Sequence, residues 1–146
     1  PGGTMKLVTH LLETKGREII STTEDASVLD AITIMAERSI GSLPVMQGDD
    51  LRGIVTERDY ARKVIVKGRS SKSTMVKEIM TADVLTARPE QTVNECMTVM
   101  SERRIRHLPV VEDGKVVGLI SIGDLVQAII ADQQEEIQHL EQYISG

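Results

Sequence analysis

Two short stretches place a hydroxyl residue three positions ahead of an aspartate, each directly after an apolar run. They are Thr56-Glu57-Arg58-Asp59 and Ser121-Ile122-Gly123-Asp124. A strand followed by a helix fits both patterns, so these side chains would lie at a helix start, where free N–H groups and a positive dipole favour an anion. The aspartate can accept from both hydroxyls of a ribose, and Ser121 can donate to a phosphate. The same residues also fit a helix cap without any ligand.

A basic pair, Arg106-His107, stands directly before the apolar run that begins at Leu108. An arginine presents a charged fork that suits phosphate, although a surface charge pair at a strand start is the alternative interpretation. The corresponding place in the first stretch holds Gly41-Ser42, so phosphate partners there must come from elsewhere. Arg58 is one candidate, and the weaker ones are Lys15, Arg17, Arg69, Ser70 and Ser71.

These residues belong to an internal repeat with a spacing of 65 residues and no gap. Leu43-Pro44-Val45 returns as Leu108-Pro109-Val110, and the paired positions upstream and downstream include Val28 with Val93, Gly53 with Gly118 and Asp59 with Asp124. A repeat of this kind indicates one supersecondary unit used twice. A unit of about sixty residues is marginally stable alone, so we expect the two to share a core.

Hydrophobic periodicity and turn residues predict the order β-α-β-β-α in each unit. For the first unit we expect a strand at 18–21, a helix capped by Ser27 and ended by Gly41, a hairpin of 43–46 with 51–55, and a helix from Thr56 to about residue 67. For the second we expect a strand at 84–86, a helix at 93–103, strands at 108–111 and 116–121, and a helix from Asp124. A short helix precedes the first unit within residues 6–16, and residues 67–77 read as a linker.

The chain ends in a helical pattern whose role stays open. Its apolar positions form a possible stripe, interrupted at Gln133: Leu125, Ile129, Ile137, Leu140 and Ile144. The segment either docks on a partner subunit or frays. At the other end we expect residues 1–4 to be an addition ahead of a native start at Met5.

Composition narrows the function classes. A net charge of −5 and the absence of Phe and Trp argue against nucleic-acid binding, which needs clustered cations and stacking aromatics. The single Cys96 cannot form an intramolecular disulfide, which suggests a reducing, cytoplasmic setting. No apolar run is long enough to predict a membrane helix, and no signal-peptide pattern opens the chain.

Catalysis and metal binding have little support in the sequence. No phosphate loop with its lysine and no dinucleotide-binding glycine pattern occurs. His10, His107 and His139 are scattered, and Cys96 lies on an apolar helix stripe beside Met97 and Met100. We therefore expect no enzyme, no metal site and no required cofactor.

The repeated unit, with Leu-Pro-Val followed by Gly-apolar-apolar-Ser/Thr-x-x-Asp, resembles the cystathionine-β-synthase (CBS) domain. The lead-in Val76-Lys77-Glu78-Ile79-Met80-Thr81 before Val84 is also similar to that family, and the resemblance spans about residues 14 to 134. It implies an α/β (α+β) fold of two β-α-β-β-α repeats, 14–70 and 77–134, packed sheet to sheet about a pseudo-twofold axis. Beyond the resemblance, the helical pattern predicts a C-terminal helix extension at 135–146.

The resemblance also implies a regulatory homodimer that binds an adenosine-containing ligand (AMP, ATP or NAD, with S-adenosylmethionine not distinguished) in the clefts between paired units. It would act on a downstream protein that the sequence does not name. The expected nucleotide-binding residues are Ser121, Asp124, Arg106, His107, Thr56, Asp59, Arg58, Ser42 and Gly41, with apolar walls from Ile40, Ile19, Ile20, Val84, Leu85 and Ile105. The alternative is a dimeric interaction scaffold that needs no ligand.

Overall fold

The computed structural model describes residues 6–145, which form two compact units. The first-repeat unit comprises Ile19–Leu85 with Gly114–Val116, and the second-repeat unit comprises residues 6–18, Thr86–Asp113 and 117–145. Residues 1–4, expected to precede the native start, lie outside the described part of the chain. No described helix is both long and apolar enough to span a membrane.

The described residues form five α-helices and four β-strands. In chain order they are α1 (Val8–Lys15), α2 (Val28–Arg38), β1 (Ser42–Gln47), β2 (Asp50–Thr56), α3 (Glu57–Tyr60), α4 (Val93–Arg103), β3 (His107–Glu112), β4 (Lys115–Ser121) and α5 (Ile122–Ser145). A π-helical turn, Ala61–Ile65, continues α3, and a 3₁₀ turn covers Val76–Glu78. β1 pairs with β2, and β3 pairs with β4.

The predicted N-cap Ser27 begins α2, and its counterpart in the second repeat, Thr92, begins α4. Ser27 Oγ accepts from the Asp30 N–H at 3.0 Å, and Thr92 Oγ1 accepts from the Glu95 N–H at 3.0 Å. The 65-residue spacing of the repeat therefore relates these two cap hydrogen bonds as well.

Gly41 does not end α2, because Ser39 already adopts the left-handed conformation (φ 54°) two residues earlier.

Both hairpins have two-residue turns that match the twist of their strands. Gly48, with φ 60°, opens the β1–β2 turn as a type II′ turn requires, since the first central residue needs positive φ. Asp113 (φ 52°) and Gly114 (φ 78°) form the β3–β4 turn in the type I′ manner. The two hairpins predicted from sequence are confirmed.

The predicted strands at 18–21 and 84–86 are wrong, and the prolines explain why. Thr22 N–H donates to the Pro44 carbonyl at 3.0 Å and Met46 N–H donates to the Thr22 carbonyl at 2.8 Å, which makes one parallel bridge. The next ladder bond upstream would need an N–H from Pro44, which has none. Ala87 makes the same isolated bridge beside Pro109.

Each unit is completed by a segment that precedes the other repeat in sequence. Lys6 O accepts from the first N–H of α4 at 2.9 Å, and Thr74 O accepts from the first N–H of α2 at 2.8 Å. The end of the predicted linker is therefore packed structure. Further along, Leu12 lies against Gly118 and Met80 lies against Gly53, so the segments 6–12 and 74–80 occupy equivalent places.

Two separate apolar cores follow from this arrangement. The first-repeat core is built on α2, the β1–β2 hairpin and the segment after residue 74: Val28, Ala31, Met35, Leu43, Val45, Val55, Val64, Val76 and Ile79. The second-repeat core draws on α1, α4, the β3–β4 hairpin and the start of α5: Val8, Leu12, Ala87, Val93, Cys96, Met100, Leu108, Val110, Ile120, Leu125 and Ala128.

The last helix, α5, begins two residues before the predicted Asp124 and runs through Gln133 without a break. The predicted stripe is not one face of it. Leu125 and Ile129 face the second-repeat core, whereas Ile137 and Leu140 are exposed.

The glycines that contact the lead-in segments give a test of this packing. A Cβ on Gly118 would lie 2.5 Å from Leu12 Cδ2, and one on Gly53 would lie 2.7 Å from the Thr81 carbonyl oxygen. We expect Gly118→Ala and Gly53→Ala each to lower the free energy of unfolding by about 1–3 kcal/mol, measured in urea. Leu12→Ala should offset part of the Gly118→Ala cost, because the obstruction is a side chain. Strict additivity of Gly118→Ala and Leu12→Ala would contradict the contact.

Met80→Ala is the matched control in the first-repeat unit. It should relieve Gly53→Ala less, because the Thr81 backbone is held by paired bonds to Ile54, each 2.9 Å.

Candidate functional site

The hydroxyl–aspartate motif of the first repeat forms a closed cap at the start of α3. Thr56 N–H donates to Asp59 Oδ2 at 3.0 Å, and Asp59 N–H donates to Thr56 Oγ1 at 3.1 Å. The Thr56 hydroxyl is also 3.1 Å from Asp59 Oδ2. The local sequence dictates this, because a strand that ends at Thr56 leaves the first N–H groups of the helix without partners.

The second repeat reproduces the same cap at the start of α5. Ser121 N–H donates to Asp124 Oδ2 at 2.8 Å, and Asp124 N–H donates to Ser121 Oγ at 3.2 Å. The sequence-derived alternative, that these residues cap a helix, is therefore correct as far as it goes. A cap uses one carboxylate oxygen, which leaves the other for a second role.

The two aspartates differ in how a lysine meets them. Lys63, one turn further along its own helix, places Nζ 3.1 Å from Asp59 Oδ1 and donates to the Ile79 carbonyl at 2.8 Å. Lys15, at the end of α1, places Nζ 2.6 Å from Asp124 Oδ2 and donates to the Leu119 carbonyl at 2.8 Å. Both oxygens of Asp59 are thus occupied, whereas the hydrogen bonds to Asp124 from described residues all end on Oδ2.

Neither lysine contact was assigned from sequence. The spacing of Asp59 and Lys63 is that of neighbours on a helix surface, so periodicity alone contained the information. Lys15 was associated with the first repeat, but α1 packs in the second-repeat unit and brings it to Asp124. A contact across 109 positions leaves no local pattern.

The residues that precede β1 and β3 lie beside these caps. Gly41 O accepts from the Glu57 N–H at 3.0 Å, and Ser42 is the cross-strand partner of Thr56. Arg106 O accepts from the Ile122 N–H at 2.8 Å, and His107 opens β3. The structure therefore gathers the predicted polar residues of each repeat at one strand–helix corner.

The side chains at those corners differ in charge and exposure. Arg106 is exposed and makes no side-chain hydrogen bond or ion pair to a described residue. Ser42 is buried, and its Oγ has no hydrogen-bond partner among described residues. Arg58 lies exposed on α3, within the cap.

Two of the weaker phosphate candidates, Arg17 and Arg69, have side-chain partners of their own. Arg17 Nη2 is 3.4 Å from Thr9 Oγ1, and the Ser70 carbonyl accepts from Thr74 Oγ1 at 2.7 Å. Arg69 Nη2 is 2.5 Å from Glu78 Oε1. The Met75 N–H and this guanidinium together hold the pKa of Glu78 below its ordinary value.

The predicted apolar walls divide into core and surface. Ile20 and Ile40 pack against the first-repeat core, and Ile105 packs against the second. Ile19 and Leu85 are exposed and Val84 is half-buried, all in the two segments that failed to form strands. These last three apolar side chains belong to neither of the two apolar cores.

Among the residues that the structure describes, no three His, Cys, Asp or Glu side chains gather in a way that could hold a metal ion. Cys96 is buried in the second-repeat core, and that burial, aided by the neighbouring Glu95 charge, raises the pKa of its thiol to about 11. A thiol held neutral at physiological pH is a poor nucleophile.

The chain is similar to known proteins over nearly its whole length. The CBS domain family matches residues 14–66 and 76–131. A mitochondrial CBS domain-containing protein of Arabidopsis thaliana, CBSX3, is 41% identical over 95% of this chain and 72% of its own. YhcV of Bacillus subtilis, a CBS domain-containing protein, is 26% identical over 77% of this chain and 80% of its own.

Solved structures agree with this assignment. A protein with CBS domains from Burkholderia ambifaria, to which a signal-transduction role is ascribed, is 55% identical with a TM-score of 0.84, over 88% of this chain and 96% of its own. The CBS domain pair of MJ0100, solved in complex with 5′-methylthioadenosine and S-adenosyl-L-methionine, is 28% identical with a TM-score of 0.78, over 88% of this chain and 98% of its own.

The Asp124 cap predicts a graded response to substitution. Asp124→Ala should lower the free energy of unfolding by about 1 kcal/mol, because the Ser121 N–H loses its acceptor. Asp124→Asn should cost clearly less, since an amide oxygen can accept the same bond. Urea unfolding of both variants measures this, and equal losses would show that the charge pair with Lys15, rather than the cap, carries the stability.

The raised pKa of Cys96 predicts a pH dependence. The unfolded thiol ionises near its ordinary pKa of 9.0 and the folded one near 11, so its contribution to stability is complete below pH 9 and is lost as pH rises towards 11. The unfolding free energy should therefore fall more steeply between pH 8.5 and 10.5 in the wild type than in Cys96→Ala. Parallel slopes would be inconsistent with a neutral buried thiol.

Proposed function

Because the chain belongs to the CBS domain family and carries two of its repeats, as regulatory CBS-pair proteins do, we propose that it binds an adenosine-containing ligand of the AMP, ATP or NAD class. The Asp124 corner of the second repeat is the principal site. Binding there stabilises one conformation of the protein and so alters which surface a downstream partner meets, which is a linkage mechanism rather than a catalytic one.

The carboxylate of Asp124 is the observation that carries the proposal. Its Oδ2 is committed to the Ser121 N–H and to Lys15, whereas Oδ1 receives no hydrogen bond from described residues. A ribose offers two neighbouring hydroxyl donors, and an ionised acceptor makes the stronger kind of hydrogen bond with them. The side chain is partly exposed, so the oxygen is accessible to a ligand.

Positive charge at the same corner favours a phosphate on that ribose. Lys15 lies on the carboxylate, the Arg106 backbone is bonded to the first turn of α5, and its guanidinium is uncommitted among described residues. The start of α5 adds the positive end of a 24-residue helix. These features support a nucleotide over a neutral nucleoside.

The corresponding corner of the first repeat has fewer groups available to bind a nucleotide. Asp59 Oδ1 is held by Lys63, and Gly41-Ser42 stands where the second repeat has Arg106-His107. A ligand there must displace the lysine from the carboxylate before the ribose can use it. We therefore propose unequal sites, with phosphate-bearing ligands preferring the second repeat.

A thermal-shift panel with AMP, ATP, NAD, S-adenosylmethionine and methylthioadenosine tests the proposal. A ligand at one hundred times its dissociation constant adds about 2.7 kcal/mol of stability, which gives a clear rise in melting temperature. Asp124→Asn keeps a cap acceptor but should weaken binding about tenfold or more, since a hydrogen bond to a charged group is worth roughly 1.5–3 kcal/mol. Arg106→Gln should weaken AMP binding and leave methylthioadenosine, which lacks phosphate, unaffected.

Asp83→Asn, an exposed carboxylate outside both motifs, serves as the charge-matched control and should shift like the wild type. A flat melting temperature across the panel would favour the ligand-independent scaffold. A ligand shift that survives both Asp124→Asn and Asp59→Asn would remove the ribose assignment.

A further inference from the structure

The last turn of α1 is attached to its unit through the Lys15 side chain, which reaches the Asp124 corner. Val8 and Leu12 are buried in the second-repeat core, whereas residues 13–16 are exposed. Lys15 Nζ donates to Asp124 Oδ2 at 2.6 Å and to the Leu119 carbonyl at 2.8 Å. A helical turn without core contacts is marginal in water, so the attachment of this turn depends on the bonds that Lys15 makes.

The first repeat makes the corresponding attachment with its backbone. Ile54, which lies 65 residues before Leu119, exchanges two backbone hydrogen bonds with Thr81, each 2.9 Å long. In the second repeat the Leu119 carbonyl instead accepts from a lysine ammonium. A bridge of two paired amides leaves no N–H over for a ligand, whereas an ammonium has three donors. The attachment in the second repeat can therefore respond directly to a ligand.

The Lys15–Asp124 ion pair keeps one unused donor and one unused acceptor. Two of the three ammonium N–H groups serve Asp124 and Leu119, and described residues give the third no acceptor. Asp124 Oδ1 likewise receives no hydrogen bond from described residues. The two side chains are 39% and 23% exposed, so a ligand can reach both groups. A hydroxyl both donates and accepts, so one hydroxyl can satisfy the pair.

We propose that Lys15 binds the ligand together with Asp124, and that occupancy of this corner thereby fastens the last turn of α1. One ribose hydroxyl donates to Asp124 Oδ1 and accepts from the Lys15 ammonium, which gives the group that holds α1 a third bond. This inference rests on the proposed function, because it needs an adenosine-containing ligand at Asp124. The coupling is reciprocal: a ligand that favours the attached turn is itself bound more tightly when the turn is attached.

This coupling gives the ligand response a location on the protein surface. The first turn of α1 is held by backbone bonds, since Val8 N–H donates to the Gln91 carbonyl and Thr9 N–H donates to the Pro89 carbonyl, each at 2.9 Å. Those bonds do not involve the ion pair. The surface that changes with occupancy is therefore the exposed turn 13–16, and a downstream partner that senses the ligand would contact this turn.

Amide hydrogen exchange of the full chain, followed by mass spectrometry, tests the coupling. With AMP or methylthioadenosine at one hundred times its dissociation constant, exchange of the amides in residues 12–16 should slow about tenfold, because opening this turn must break one more bond to a charged group. Both ligands carry the ribose hydroxyls, so both should act. Slowing by AMP alone would assign Lys15 to the phosphate and contradict the ribose contact.

Lys15→Met removes the ammonium and keeps an unbranched side chain. Either ligand should bind this variant about tenfold less tightly, and exchange of residues 12–16 should no longer slow when the variant is saturated. The matched control is Lys6→Met, which removes a second ion pair between this segment and α5, 3.6 Å long, to Asp132. Its ligand affinity and its ligand-induced slowing should match the wild type, because the Asp124 corner is intact.

Two outcomes would remove this inference and leave the proposed function standing. Unchanged or faster exchange of residues 12–16 in the ligand-bound wild type would show that Lys15 does not share the ligand or is displaced by it. A slowing that persists in saturated Lys15→Met would assign the effect to general stabilisation of the unit. A wild-type melting temperature that no ligand of the panel raises would instead remove the proposed function and this inference together.

Discussion

A two-stranded sheet cannot hold a domain together, and both units depend on how this constraint is met. Each hairpin is closed on one side by a single bridge, at Thr22 or Ala87, beyond which a proline stops the ladder. The missing support comes from a segment that precedes the other repeat in sequence, and it enters where Gly53 or Gly118 leaves room for it. A methyl group at either glycine would meet that segment, so close approach there is a condition of the fold.

The same exchange of segments explains why the two sites differ. Residues 74–80 and 6–12 occupy equivalent places, but the first passes into a 3₁₀ turn and the second into α1, which continues to Lys15. Only α1 is long enough to bring a lysine, Lys15, from outside the second repeat to Asp124. The first repeat instead uses Lys63 on its own helix. The two repeats therefore have matching helix caps, but the charge around Asp59 differs from that around Asp124 because different segments pack beside them.

Contacts between residues close in sequence could be predicted from the sequence, whereas contacts between distant residues could not. Ser27, the two hairpin turns and the hydroxyl–aspartate caps act within a few residues, so their types and spacing specify them. The segments 18–21 and 84–86 have strand composition, yet strand formation depends on N–H groups that Pro44 and Pro109 do not possess. Lys15 was visible as a cation, but its partner depended on where α1 packs. The corner around Asp124 could therefore be predicted in part, without the charge that completes it.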